Sequence, residues 1–284
     1  MQSYAQTGPF TLTRALALAS ACALTQSALA SFHVMQIEQV MVSLDGDNTV
    51  QAIQLRMRSS FQNQLQFAKL VVRNAQGLNP ITVVDFTTGV PVSASGSRIL
   101  VVSPNFAANC NPTAVPNFTM TNLIPASYFA AGRLSFEADG GTVYWSVSWG
   151  GAAYTGPQTG DFTNDSNGNF GPAIAGAFPT AGTSAYRFSG TATAASTTNA
   201  ADYRTVTSNV TFTNNAGNSF VVVLPPPPRC VGDYNQDGGF DGADVEAFFV
   251  DWEAGQSDAD VNEDGGVDGG DVEVFFTRWE SGSC

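Results

Sequence analysis

The sequence predicts a mainly β amino-terminal domain followed by a small α-helical one, on three observations. Short runs that alternate apolar and polar residues recur between residues 33 and 223, separated by Gly, Pro and Asn turns. Four consecutive prolines interrupt the chain in "LPPPPR". Beyond them an acidic segment repeats in register, "GDYNQDGGFDGADVEAFF" from Gly232 and "ADVNEDGGVDGGDVEVFF" from Ala259.

The chain opens with an export signal. Arg14 precedes the apolar run "ALALASACALTQSALA", and Ala28-Leu29-Ala30 supplies a small-x-small cleavage site. Residues 1–30 are therefore expected to be a signal peptide, placing the mature protein outside the cell or on its surface. The run is short for a bilayer crossing and no other stretch qualifies, so no membrane span is expected.

Residues 31–224 carry the strands. In "IQLRMR", Ile53, Leu55 and Met57 fall on one face, and Gln54, Arg56 and Arg58 on the other. In "TVYWSVSW", Trp145, Val147 and Trp149 share a face, and "LSFE" followed by the turn "ADGG" predicts a hairpin with it. Further strands are expected in "HVMQIEQVMV", "LQFAKLVV", "ITVVDF", "RILVVS", "NFTMTNL", "AYRFSGTA", "VTFTNN" and "SFVVV". Many short strands with little helical periodicity predict a β-sandwich of jelly-roll or immunoglobulin-like type. "QAIQLRM" and "LIPASYFAAGRLSFE" resemble, over fragments only, exported β-sandwich modules of the lamin-tail type. Residues 225–229 read as a proline-rich linker, and 230–284 as a separate domain.

Charge is concentrated in that last domain. Fifteen of the 24 Asp and Glu lie in residues 230–284, against one of the 11 Lys and Arg, Arg278. Phosphates would be repelled there and no basic patch exists elsewhere, so nucleic acid is excluded as a partner. Cys230 and Cys284 bracket the segment and are expected to close it as a disulfide, leaving Cys110 as a structural thiol.

Like charges gather where a cation neutralises them. In the first copy Asp233, Asn235, Asp237, Asp241 and Asp244 occupy positions 1, 3, 5, 9 and 12 of a loop; Asp260, Asn262, Asp264, Asp268 and Asp271 do so in the second. Gly238 and Gly265 take position 6, where the chain turns sharply, and the carbonyls of Gly239 and Gly266 at position 7 complete an all-oxygen set. Such donors suit Ca²⁺, one ion per loop. With neither His nor Cys in the loops, zinc and copper are disfavoured, and Mg²⁺ dehydrates too reluctantly. After each loop, Val245, Phe248, Phe249 and Trp252, and then Val272, Phe275, Phe276 and Trp279, trace one apolar helical face. Gly255 and Gly282 are expected to end these helices.

Duplicated loop–helix units with Asp at position 12 resemble type I dockerin domains over residues 230–284. The resemblance implies two helices packed as a pseudo-symmetric pair, Asp233, Asn235, Asp237, Asp241, Asp244 and their second-copy equivalents as calcium ligands, and docking to a cohesin-like or other cell-envelope partner. Positions 10 and 11 hold Gly242-Ala243 and Gly269-Gly270, where dockerins often present a hydroxyl pair.

The function expected is thus a non-enzymatic secreted or cell-surface protein whose calcium-binding tail tethers a β-sandwich. The alternative is a polysaccharide hydrolase, lyase or carbohydrate-binding module delivered to an extracellular complex by the same tail. For the enzyme, Glu137 and Asp139 near Trp145 and Trp149 are the candidate acid pair. In "NDSNGNFGP", Asp165, Asn167 and Asn169 alternate in a turn that Asx-turn chemistry explains as well as a minor metal site does.

Overall fold

The structure, a computed structural model, describes residues 1–2, 31–225, 229–282 and 284. The expected signal peptide, apart from its first two residues, and the central prolines of the linker lie outside them. The chain forms two compact units, Met1–Val222 and Val223–Cys284.

The first unit is mainly β. A six-stranded sheet has the order β11-β10-β1-β2-β5-β7, in which β1 is Met35–Met41, β2 Ala52–Met57, β5 Arg98–Val102, β7 Phe118–Thr119, β10 Ala185–Phe188 and β11 Tyr203–Val206. A four-stranded sheet runs β4-β3-β8-β9, with β3 Ala68–Asn74, β4 Ile81–Asp85, β8 Gly132–Ala138 and β9 Val143–Trp149. A three-stranded sheet, β12-β13-β6, is built from β6 Cys110–Asn111, β12 Thr211–Thr213 and β13 Ser219–Val222.

Alternation explains the main core. Ile37, Ile53, Leu55, Met57, Ile99 and Val101 of the six-stranded sheet and Leu70, Val72, Leu134, Phe136, Trp145, Val147 and Trp149 of the four-stranded sheet belong to one buried cluster. The expected hairpin is present: β8 and β9 pair antiparallel, with Gly141 at φ 91° in the turn. Both tryptophans are buried and their indole N–H groups satisfied. Trp145 Nε1 donates to the Tyr203 hydroxyl at 2.7 Å and Trp149 Nε1 to the Tyr128 carbonyl at 2.8 Å.

The opposite face of the six-stranded sheet departs from expectation. Simple alternation puts Gln54 and Arg56 towards water, yet both are buried. Part of that face is covered by apolar residues: Met41, Ala52, Leu100 and Val102 pack with Phe106, Phe212 and Phe220 in a second core. The remainder is a polar network. The β1–β2 register slips between Ile37 and Gln39, which makes Glu38 a bulged residue. Its carboxylate pairs with Arg56 and Arg98 at 2.7 Å each and accepts from Gln54 Nε2 at 2.7 Å. Mutual satisfaction lets these groups leave solvent.

In the second unit, α2 (Gly242–Glu253) and α3 (Gly269–Ser281) each follow one acidic loop; α1, Asn199–Asp202, is a single turn in the β unit. Both long helices begin with a capping box, Asp241 with Asp244 and Asp268 with Asp271, which satisfies amides that would otherwise lack partners. Gly282 closes α3 in the left-handed region, and Gly255, just past α2, has φ 62°. Phe248, Phe275, Tyr234 and Ala259 form the buried centre, with Val245, Phe249, Trp252, Val272, Phe276 and Trp279 around them. Cys230 and Cys284 stand at disulfide distance, their Cα atoms 4.4 Å apart. Among the described residues no helix is long and apolar enough to cross a membrane.

Candidate functional site

The two acidic loops share their left-handed positions and their side-chain hydrogen bonds. Position 4 is left-handed in both, Gln236 at φ 59° and Glu263 at φ 61°, and position 6 again, Gly238 and Gly265 at φ 90°. A side chain at position 6 would be strained wherever it pointed, so glycine there is a backbone requirement.

Hydrogen bonds then orient the acids. Asp233 Oδ1 accepts from the Asp237 amide at 3.1 Å and Oδ2 from the Gly238 amide at 3.0 Å. Asn235 Oδ1 accepts from the Asp237 amide and Asp237 Oδ1 from the Gly239 amide. Asp260, Asn262 and Asp264 repeat each of these contacts, ending on the Gly266 amide. Asp241 and Asp268, at position 9, cap their helices through the amides of Ala243 and Gly270.

Position 12 is the buried end of each loop. Asp244 accepts from the Asn235 and Asp241 amides, and Asp271 from those of Asn262 and Asp268, at 2.8–3.1 Å. Both side chains are 0% exposed, and neither forms an ion pair among the described residues. Burial pushes the Asp271 carboxyl up, but the amides of Asp268, Asn262 and Val261 outweigh it and hold it below its ordinary value.

The two halves are tied across the pseudo-dyad. Trp252 of α2 donates its indole N–H to the Asp268 carbonyl, and Trp279 of α3 donates to the Asp241 carbonyl, both at 2.9 Å. Each helix thus holds the opposite loop at position 9. Periodicity placed these tryptophans on the apolar face; their hydrogen bonds were not legible from spacing.

The donor chemistry fits a hard cation. Asp233, Asn235, Asp237, Asp241 and Asp244 offer carboxylate and carboxamide oxygens, as do Asp260, Asn262, Asp264, Asp268 and Asp271, with the Gly239 and Gly266 carbonyls as further oxygen donors. A Cβ at residue 239 would crowd Asp237 Oδ1 at 3.1 Å, whereas one at 266 would stand in ordinary contact with Asp264 Oδ1 at 3.4 Å. Among the described residues, no three His, Cys, Asp or Glu side chains are gathered closely enough to hold a metal by themselves. Asn and carbonyl oxygens would therefore have to share in any coordination.

In the β unit, Glu137 and Asp139 do not form a working acid pair. Glu137 is buried and accepts from both terminal guanidinium nitrogens of Arg73 and from the Ser135 hydroxyl, while Asp139 lies exposed beyond the strand end. A cleft of about 300 Å³ is lined by Thr49, Pro104, Asn105, Met120, Thr121 and Leu123, which brings it neither an acid nor a base.

No protein-family model matches this chain. No curated protein matches it either.

Proposed function

We propose that this is a non-enzymatic secreted or cell-surface protein in which a dockerin-like carboxy-terminal module binds two calcium ions and tethers an amino-terminal β-sandwich outside the cell. One observation carries the reading: Asp244 and Asp271 are buried carboxylates without a cationic partner among the described residues, each closing an all-oxygen loop with matching side-chain hydrogen bonds. The amides that each carboxylate accepts from stabilise it but carry no net charge, so each loop gathers four Asp with no counter-charge among the described residues. Bound calcium supplies that charge; Asp233, Asn235, Asp237, Gly239, Asp241 and Asp244 would hold one ion, and Asp260, Asn262, Asp264, Gly266, Asp268 and Asp271 the other. The docking side of the proposal draws on the mixed polar and apolar surface the helices leave open. Val250 of α2 is 61% exposed, and α3 presents a shallow hollow lined by Glu273, Val274, Thr277 and Arg278.

Isothermal titration of the full chain with CaCl₂ tests the reading. Wild-type protein should bind two more ions than the double variant Asp244→Ala/Asp271→Ala, with affinities in the range of about 10⁻⁷–10⁻³ M. Equal stoichiometry for the two proteins would refute it. Calcium-dependent retention of the full chain on the producing cell's envelope, released by EDTA, tests the docking half.

A further inference from the structure

We infer a further divalent-cation site in the β unit, at the turn formed by residues 165–171. Asp165 lies in the long connection between β9 and β10, and its Oδ1 accepts from the Asn167 amide at 2.7 Å and the Asn169 amide at 3.0 Å. Asn167 Oδ1 accepts from the Asn169 amide at 2.9 Å, and Asn169 Oδ1 from the Gly171 amide at 3.1 Å. Contacts from the first to the fifth residue, third to fifth and fifth to seventh are those of the two carboxy-terminal loops. Alone, this pattern is ordinary Asx-turn chemistry.

The second carboxylate oxygen separates the turn from an ordinary one. In the carboxy-terminal loops Oδ2 of the first Asp is occupied by the amide of the sixth residue, Gly238 or Gly265. Here the sixth residue is Phe170, and its amide is diverted to the Gln158 carbonyl at 2.7 Å. Asp165 is only 4% exposed, and its Oδ2 is shut off from solvent with no hydrogen-bond partner. Arg58 does not relieve it: that guanidinium donates to the Thr163 carbonyl and to Asn164 Oδ1, and Asp165 forms no ion pair among the described residues.

An anionic oxygen without donor or counter-charge is a vacancy that a hard cation would fill. With Oδ1 pinned to the amides of Asn167 and Asn169, Oδ2 of the same carboxyl is held within reach of that turn. Asn167 and Asn169 are themselves exposed, so an ion would meet their carboxamides first and reach Oδ2 as the turn opens around it. An all-oxygen donor set with one carboxylate selects Ca²⁺ over zinc or copper and points to the weak extracellular range, about 10⁻⁴–10⁻³ M.

The test uses the full chain with both carboxy-terminal loops silenced by Asp233→Ala and Asp260→Ala, so it stands whether or not those loops bind calcium. In that background titration with CaCl₂ should show one remaining weak site, and calorimetry should show the β unit melting roughly 3–10 °C higher in 10 mM calcium than in EDTA. Adding Asp165→Asn, which keeps the shape and removes the charge, should weaken binding about tenfold or more and abolish the melting shift. The exposed Asn167→Ala, which disturbs no core packing, should weaken binding in the same direction. Melting of the β unit that is identical in calcium and EDTA overturns the inference, as does a calcium response that both variants leave intact.

Discussion

Phe248 of α2 and Phe275 of α3 stack with centroids 4.3 Å apart and planes 3° from parallel, each on its own pseudo-symmetric equivalent. Tyr234 meets both edge-on, at 5.4 and 6.0 Å, and its hydroxyl donates to Asp251 at 2.9 Å. Neither helix could bury its aromatic face alone, so this stack joins the two halves of a unit with very few fully buried residues. Phe248→Ala should therefore cost about 3–5 kcal/mol, a large part of such a unit's total. Calorimetry of the full chain should show the Val223–Cys284 transition lowered or lost, while the β-unit transition keeps its temperature.

Glu38 supports the β unit in a different way. Bulged out of register in β1, it balances Arg56 and Arg98, which extended backbone pairing places side by side on β2 and β5. The Glu38 contact raises the Arg98 guanidinium, whereas burial lowers that of Arg56 and its attraction to Glu38 opposes the loss. Glu38→Gln keeps the volume but leaves two guanidinium groups without a counter-charge, one of them well buried. Destabilisation of about 3 kcal/mol is expected. Leu or Met at all three positions should cost far less than the single change, and urea unfolding of the two variants checks the difference.

Much of this fold is legible from local pattern, and the exceptions share a cause. The core-facing residues of β2 and β9 follow from period-two spacing, and the helical faces of α2 and α3 from Val, Phe, Phe and Trp at i, i+3, i+4 and i+7. Predicted strand gives way to a 3₁₀ turn at Leu65–Phe67, and "NFTMTNL" supplies only Phe118–Thr119. β6 is two residues long and exists because Val222 of β13 aligns with Cys110, a pairing that no local window contains. β11, "YRTV", has weak alternation, and its buried Tyr203 is held by Trp145 from far away in sequence. The Glu38 cluster likewise depends on strand register. In the carboxy-terminal unit the oxygen-bearing residues were readable because each candidate site is a loop of consecutive residues. The Trp252–Asp268 and Trp279–Asp241 contacts were not, since they cross between copies.

Cys110 should behave as an inert core thiol. It is buried beside Phe106, whose carbonyl receives a weak S–H contact at 3.7 Å, and burial pushes the thiol up to about 12. The thiolate is the reactive form, so at pH 8 almost none is present in the folded state. Reaction with iodoacetamide or an aromatic disulfide reagent should be negligible in native buffer and complete within minutes in guanidinium. Labelling of the native protein at the rate of an exposed thiol would show that the second core opens locally near β6.

The Cys230–Cys284 pair ties the two ends of the small unit together, the cysteines standing 54 positions apart in sequence. A cross-link of that span restricts the unfolded chain and, on the loop-entropy account, stabilises by about 4 kcal/mol. Calcium, if bound as proposed, stabilises the same native state by mass action, so each device should mask the loss of the other. Cys230→Ser/Cys284→Ser protein is therefore expected to keep the helical unit folded in 10 mM CaCl₂ and to lose it in EDTA. The disulfide-intact protein should survive chelation with only a lowered transition. Far-UV circular dichroism of the full chain through both melts checks the four combinations, and equal effects of chelation on the two proteins' stability would show that bridge and ion act on different cooperative units.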